Sequence, residues 1–154
     1  MTQEILSSTT TIHGFDSFQG IPESWGDEPA GTYSTQGNLP DVPANVKLHV
    51  GLFGDTVGKF VESQPGLPLA FANIDCDLYS STADVLTAVQ ARVVPGTILL
   101  FDEYIAHETW RQDEFRAFQE ACERYGWTYE YLGFSLGSKQ AIVKIKEVRA
   151  RERE

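Results

Sequence analysis

The feature that most constrains the fold is a series of short apolar, β-branched runs at residues 10–15, 46–53, 69–74 and 97–101, most of them continuous rather than alternating. Continuous runs of this length predict strands covered on both faces. Helical patterns lie between them. Asp55 is placed to cap a short helix that turns Val57, Phe60 and Val61 inward. Ser81-x-x-Asp84 reads as the opening of a second helix, with Val85, Leu86, Val89 and Val93 along one side and Pro95-Gly96 as its end. A third pattern at 111–125 spaces Phe115, Phe118, Cys122 and Tyr125 by threes and fours, and Gly126 stops it. Strands alternating with helices predict an α/β domain with a mainly parallel sheet. The last runs, 127–134 and 140–145, are joined by five residues, too few for a crossover helix, so they predict an antiparallel hairpin at one edge of the sheet. The charged tail at 146–154 reads as helical.

Composition narrows the partners. The 154 residues are 42% hydrophobic and 12% aromatic, enough for one domain with its own core over residues 1–154. A net charge of -10 argues against the phosphate backbone of nucleic acid and against an anionic membrane surface, since both would be repelled. Residues 1–11 are polar, without the basic start and apolar centre of a secretory leader, and Cys76 and Cys122 lie far apart within apolar patterns. A reducing, cytoplasmic setting is the expectation.

One segment interrupts the alternation. Residues 20–45 carry four glycines and four prolines, with Trp25 and Tyr33 in polar surroundings. A loop this long in a compact domain is read either as a substrate lid or as a cover whose aromatics fold back on the core.

The chemistry concentrates in acids. Asp75 and Asp77 end the run 69–74, and Asp102 and Glu103 end the run 97–101. Parallel strands collect their carboxyl ends on one edge, so neighbouring strands about 4.8 Å apart would bring these acids into one crevice. On an extended chain, residues 75 and 77 share a face and Cys76 points to the other. Gathered carboxylates repel unless a cation compensates them or one holds a proton. Oxygen donors favour a hard divalent ion, most plausibly magnesium, which would acidify a substrate hydroxyl while a nearby carboxylate takes the proton. Asp77 capping a following turn is the plainer alternative. An Asp-x-Asp also occurs in metal-dependent glycosyl and phosphoryl transferases, so that reading stays open here. His13, His49 and His107 share no metal-ligand spacing, and only His107, close behind Asp102 and Glu103, is placed to reach a substrate. Cys76, flanked by aspartates, reads as core, and Trp110 as packing for the third helix.

Four strings in order, Gly14-Phe15-Asp16-Ser17-Phe18-Gln19-Gly20-Ile21-Pro22-Glu23, His49-Val50-Gly51-Leu52-Phe53-x-Asp55-Thr56, Ile74-Asp75-Cys76-Asp77-Leu78-Tyr79-Ser80-Ser81-Thr82 and Pro95-Gly96-Thr97 through Phe101-Asp102-Glu103-Tyr104, resemble the macrocin O-methyltransferase family. The resemblance implies a Rossmann-like class I methyltransferase sheet and magnesium-assisted transfer of a methyl group from S-adenosylmethionine (SAM) to a hydroxyl of a sugar or similar small molecule. It implies Asp75, Asp102 and Glu103 as magnesium ligands, the last often an aspartate in the family, and Asp77 as the general base. Asp16 would hold the ribose hydroxyls of SAM, with Phe53 stacked on its adenine and Asp55 near the adenine amine. Family members carry, ahead of the first string, a strand, a glycine-rich turn and a helix that cradle the methionine part of SAM. Here twelve residues precede His13 and no Gly-x-Gly occurs. The expectation is a sheet truncated at its amino-terminal side, in which the first strand either pairs directly with the strand ending at Asp75 or is completed by another chain in a homo-oligomer. A binding or assembly module of the same fold without catalysis is the alternative function.

Overall fold

The protein is described here by a computed structural model covering residues 10–149. It divides into two compact units, one ending at Thr56 and one beginning at Val57.

In the first unit, β1 (Ile12–Asp16) and β2 (Val46–Val50) run parallel, in register from Ile12 opposite Val46 to Asp16 opposite Val50. Both lie where the apolar runs put them, but the expected cover on both faces is not present: Val50 remains 54% exposed and Ile12 37%. Between the strands, residues 20–45 fold back on themselves. Ile21 is buried, donates its N–H to the Thr32 carbonyl at 3.0 Å and accepts from Gly31 at 2.8 Å, while Trp25 and Glu28 exchange a pair of backbone bonds. Gly20 sits at φ 81°, and a Cβ there would stand 2.3 Å from the Thr32 carbonyl oxygen, so only glycine lets the two arms of the loop meet. Trp25 is half-buried and Tyr33 is exposed, so Tyr33 does not cover a core. Helix α1 (Phe53–Ser63) starts in this unit. Asp55 is not its cap: the Leu52 carbonyl takes the Asp55 and Thr56 amides, and Asp55 lies in the first turn, where its charge still meets the positive helix end.

The second unit contains β3 (Phe71–Ile74), α2 (Tyr79–Val89) with a 3-10 turn (Gln90–Arg92), β4 (Ile98–Phe101), α3 (Glu114–Tyr125), β5 (Trp127–Phe134) and β6 (Ala141–Val148). Its sheet runs β3-β4-β6-β5, with β3 parallel to β4 and the expected antiparallel hairpin at the far edge. Leu86, Leu99, Phe101, Phe118, Val143 and Ile145 are essentially inaccessible and form the core, each contributing roughly 1.5–3 kcal/mol by burial. Val85, Val89 and Val93 join them, as their spacing predicts.

Three boundaries differ from the sequence reading. Helix α2 begins at Tyr79, not at a Ser81 cap: Leu78 accepts the Thr82 amide at 3.0 Å, and Ser81 and Thr82 are buried inside the first turn. Helix α3 begins at Glu114 rather than near residue 111, because Asp113, held by the Thr109 hydroxyl at 2.8 Å, occupies a non-helical cap position. Residues 146–148 extend β6 instead of forming a helix, since Val148 pairs with Trp127 and Arg149 donates to the Gly126 carbonyl at 2.9 Å. The rest of that tail, 150–154, lies outside the described residues. Gly126 stops α3 as expected, at φ 69°, where a Cβ would stand 2.5 Å from the Arg149 carbonyl oxygen. The direct pairing considered for the first strand is not formed among the described residues: β1 pairs with β2, and β3 closes its own sheet.

Candidate functional site

The candidate site grows from the ends of β3 and β4. Asn73 opposite Leu100 and Ile74 opposite Phe101 fix the strands, and the Asp102 amide continues the ladder by donating to the Ile74 carbonyl at 3.0 Å. Both chains leave the sheet on the same edge, Asp75 to Asp77 on one and Asp102 to Glu103 on the other. Cys76 is buried while Asp75 is exposed and Asp77 half-buried, the division of faces that the extended spacing predicts.

Asp77 occupies an unusual backbone. Its φ is 57°, in the left-handed region, and Leu78 donates across it to the Cys76 carbonyl at 2.5 Å. This tight turn lets Tyr79 begin α2 directly while the Asp77 carboxyl stays at the strand ends. Burial first, then the charges of Asp75, Glu103 and Asp102, push that carboxyl up to about 6. Asp75, Asp102 and Glu103 are therefore all close enough to repel the Asp77 carboxylate.

Two residues that the sequence reading did not name meet these acids from the β5–β6 hairpin. Lys139 places its ammonium 3.0 Å from Glu103 Oε2 and counteracts the rise at Asp77. Its backbone, at φ 59°, is held by the Tyr104 and Ile105 amides, both donating to its carbonyl. Gln140 Nε2 donates to Asp102 Oδ1. A third is Glu114, which is wholly buried at the start of α3 and accepts the Cys76 N–H on Oε1 at 3.0 Å. Burial pushes its carboxyl up to about 8, against the pull of the Cys76 and Glu103 amides. Cys76 itself is raised by burial first and by Glu114 and Asp75 after, so it is a core thiol and no nucleophile.

The donor chemistry of Asp75, Asp77, Asp102 and Glu103 fits a hard divalent cation, which commonly takes one or two carboxylates and completes its shell with water and substrate oxygens. Among the described residues no three acids, histidines or cysteines stand in metal-ligand geometry. Glu103 is turned onto Lys139 and Asp102 onto Gln140. His107 Nε2 lies 2.9 Å from the Glu103 carbonyl oxygen, bracing the loop after β4, and Trp110 packs edge-on to Phe115 at 4.8 Å. His13 and His49 are not isolated strand residues: their rings meet at 2.9 Å across β1 and β2, and Phe15 stacks on His49.

The remaining candidates lie in the first unit, at the carboxyl ends of β1 and β2. Gly51 N–H donates to the Asp16 carbonyl at 2.9 Å, which brings Asp16 beside the segment carrying Phe53 and Asp55. Asp16 Oδ1 accepts the Phe18 amide at 2.6 Å, capping the turn that leaves β1. Phe53 is half-buried and Asp55 exposed.

A family model described as macrocin-O-methyltransferase (TylF) matches residues 38–124. The chain is 35% identical over 107 residues, 58% of its own length, to an 8-demethyl-8-(2,3-dimethoxy-alpha-L-rhamnosyl)-tetracenomycin-C 4'-O-methyltransferase of Streptomyces olivaceus, of which 40% is covered. It is 33% identical over 111 residues, 61% of its length, to a mycinamicin III 3''-O-methyltransferase of Micromonospora griseorubida, of which 44% is covered. The matched part thus spans less than half the length of these relatives. Among solved structures, a calicheamicin methyltransferase aligns with TM-score 0.68 at 20% identity, over 93% of this chain and 63% of that one. The O-methyltransferase NovP aligns with TM-score 0.61 at 23% identity, over 96% and 63%. The fold is that of the class I SAM-dependent methyltransferases. No helix among the described residues is long and apolar enough to cross a membrane.

Proposed function

The chain belongs to the macrocin-O-methyltransferase family, and we propose that it serves magnesium-assisted transfer of a methyl group from SAM to a hydroxyl of a sugar or similar small molecule. The observation that carries this reading is the convergence of four acids at the ends of β3 and β4, with Asp77 raised to about 6 among them. A carboxylate in that range is a base at neutral pH and still strong enough to take a proton from an acidified hydroxyl. Asp75, Asp102 and Glu103 would hold the cation, and Asp77 would accept the proton. Magnesium held there would make an acceptor hydroxyl more acidic, and bound SAM would supply the electrophilic methyl group. Asp16, Phe53 and Asp55 would take the ribose and adenine. Loop 20–45, with Tyr33 exposed, would select the acceptor.

Lys139 enters as the resident counter-charge. It neutralises Glu103 in the absence of metal, and a cation held by Glu103 would displace its ammonium. Lys139→Met is therefore expected to raise the titration midpoint of Asp77 above about 6 in the metal-free chain, since a cation that lowers it is removed. Adding magnesium is expected to lower the midpoint in both proteins, because a cation favours the charged form. Carbon-detected NMR titration of the carboxyl reads both shifts; a midpoint that ignores Lys139→Met and magnesium alike contradicts the assignment.

Self-association belongs to the same reading. A two-stranded sheet is marginal alone, and β3 ends the other sheet, so a homo-oligomer that completes the strands is expected by sedimentation, with a strict monomer as the contrary result. The function itself is tested by incubating the full chain with methyl-labelled SAM and a panel of glycosides and nucleotide sugars. Label on an acceptor hydroxyl with magnesium, and none with a chelator, supports the proposal. Binding of a nucleotide sugar without any binding of SAM overturns it.

A further inference from the structure

The methyl-transfer reading gives no task to the two histidines of the first unit. His13 on β1 and His49 on β2 are 36 residues apart in sequence, yet His13 Nδ1 lies 2.9 Å from His49 Nε2 and the ring centroids are 5.2 Å apart. The strand register explains the meeting. His13 stands opposite Lys47 and His49 opposite Phe15, so the two rings are diagonal neighbours on one face of the parallel pair. Phe15 stacks on His49 at 4.5 Å with 11° between the planes, which steadies that ring. Both histidines are half-buried.

Two ring nitrogens in hydrogen-bond contact need one proton between them, because one must donate and the other accept. The contact forms with both rings neutral or with one charged. It fails when both are charged, since both nitrogens are then donors. We infer that the pair is a proton-controlled clasp: it joins β1 to β2 while it carries at most one positive charge, and it opens when a second proton binds. Burial first, and then the charges of His49 and Lys47, hold His13 below its ordinary value of 6.5. Of the acids in the same unit, Asp16, Glu23, Asp27, Asp41 and Asp55 are exposed and Glu28 is half-buried, so water and salt screen their attraction for the second proton. A base whose folded value is depressed takes its proton more readily in the unfolded chain. The clasp therefore contributes fully above about 6.5, and its contribution is lost as pH falls from there through the folded value. A two-stranded sheet is marginal by itself, so one cross-strand bond matters to it. His13 lies three residues before Asp16, and His49 four before Phe53, so opening the clasp loosens the strand ends that lead to those residues. The inference goes beyond the methyl-transfer reading and does not depend on it.

The test follows the histidine rings of the full chain by NMR from about pH 8 to about pH 5, the range in which imidazoles titrate. Amide protection in β1 and β2 is measured at both ends of that range, with the intrinsic pH dependence of exchange divided out. The two rings are expected to titrate as a coupled pair, the second step falling below 6.5. Protection of the β1 and β2 amides is expected to drop roughly tenfold on acidification while that of β3 and β4 holds. His49→Phe keeps a ring for Phe15 to stack on but neither accepts nor takes a proton. It is expected to raise the His13 midpoint and to leave β1 and β2 with protection that is lower at neutral pH and no longer changes with acid. If His49→Phe fails to fold, His13→Asn, which does not titrate, is read in its place with the same pH-independent protection expected. Independent titration of the two rings, or the same acid-induced loss of protection in wild type and variant, overturns the inference. Neither measurement uses SAM or magnesium, so a chain that transfers no methyl group leaves the test intact.

Discussion

Asp77→Asn is expected to lower kcat for methyl transfer by roughly 10²- to 10⁴-fold, the usual contribution of a positioned base, with the melting temperature unchanged or slightly raised. The backbone makes the substitution clean. Asp77 sits at φ 57°, and asparagine is among the few residues that adopt the left-handed region readily, so the turn that launches α2 survives. The carboxylate removed is one that Asp75, Glu103 and Asp102 all repel and that burial penalises, so losing its charge relieves strain in the metal-free protein. KM for the acceptor should move little, because the role proposed for Asp77 is on the proton in transit and not on the sugar ring. Steady-state kinetics at saturating SAM, with thermal melts alongside, check both halves. A kcat within about threefold of wild type, judged against that expected loss, removes Asp77 from the mechanism.

Phe118→Ala is expected to destabilise the protein by about 3–5 kcal/mol, the range for emptying a buried phenylalanine site. Phe118 is completely inaccessible and meets Phe101 at 5.0 Å, Tyr129 at 4.8 Å and Tyr104 at 6.3 Å between ring centroids. These partners come from β4, β5 and the loop after β4, so the cavity cannot collapse onto one flexible neighbour. Phe101 directly precedes Asp102, and Tyr104 directly follows Glu103. A loss of this size is a large fraction of the roughly 5–15 kcal/mol that stabilises a domain. It should therefore appear as a strong shift of the urea midpoint with an unchanged slope. A loss below about 1 kcal/mol, far under that expected range, would mean that α3 is not anchored to the sheet as described.

The order of elements was legible because each β-branched run and each stripe of threes and fours has one economical fold, and the parallel β3–β4 pair followed from the helix between them. Boundaries were harder to read. Ser81-x-x-Asp84 has the form of a capping box, but the chain turns at Asp77 and Leu78, two residues into what resembled a strand exit, and the helix starts before the serine. Residues 146–148 look solvated by composition, yet they continue β6 because Trp127 and Thr128 offer a ladder that a charged strand can take as well as an apolar one.

The acids were legible because two pairs ended two apolar runs. Their partners were not. Lys139 and Gln140 reach Glu103 and Asp102 from the hairpin, 36 and 38 residues away, with no local pattern to announce the contact. Glu114 left one signal: it lies four residues before Phe118 and eight before Cys122, on the stripe that α3 buries. A carboxylate in register with a core stripe is out of place in a solvated helix, and that misfit is readable from sequence.

The central claim is that the acids after β3 and β4 form one cation site. A calorimetric titration of magnesium into the full chain, repeated with Asp75→Asn and Asp102→Asn, tests it most directly. The account gives a single site in the wild-type protein that is weakened about 10-fold or more by either substitution, since each removes a charged oxygen donor. Equal binding by all three proteins, or none by the wild type, contradicts it.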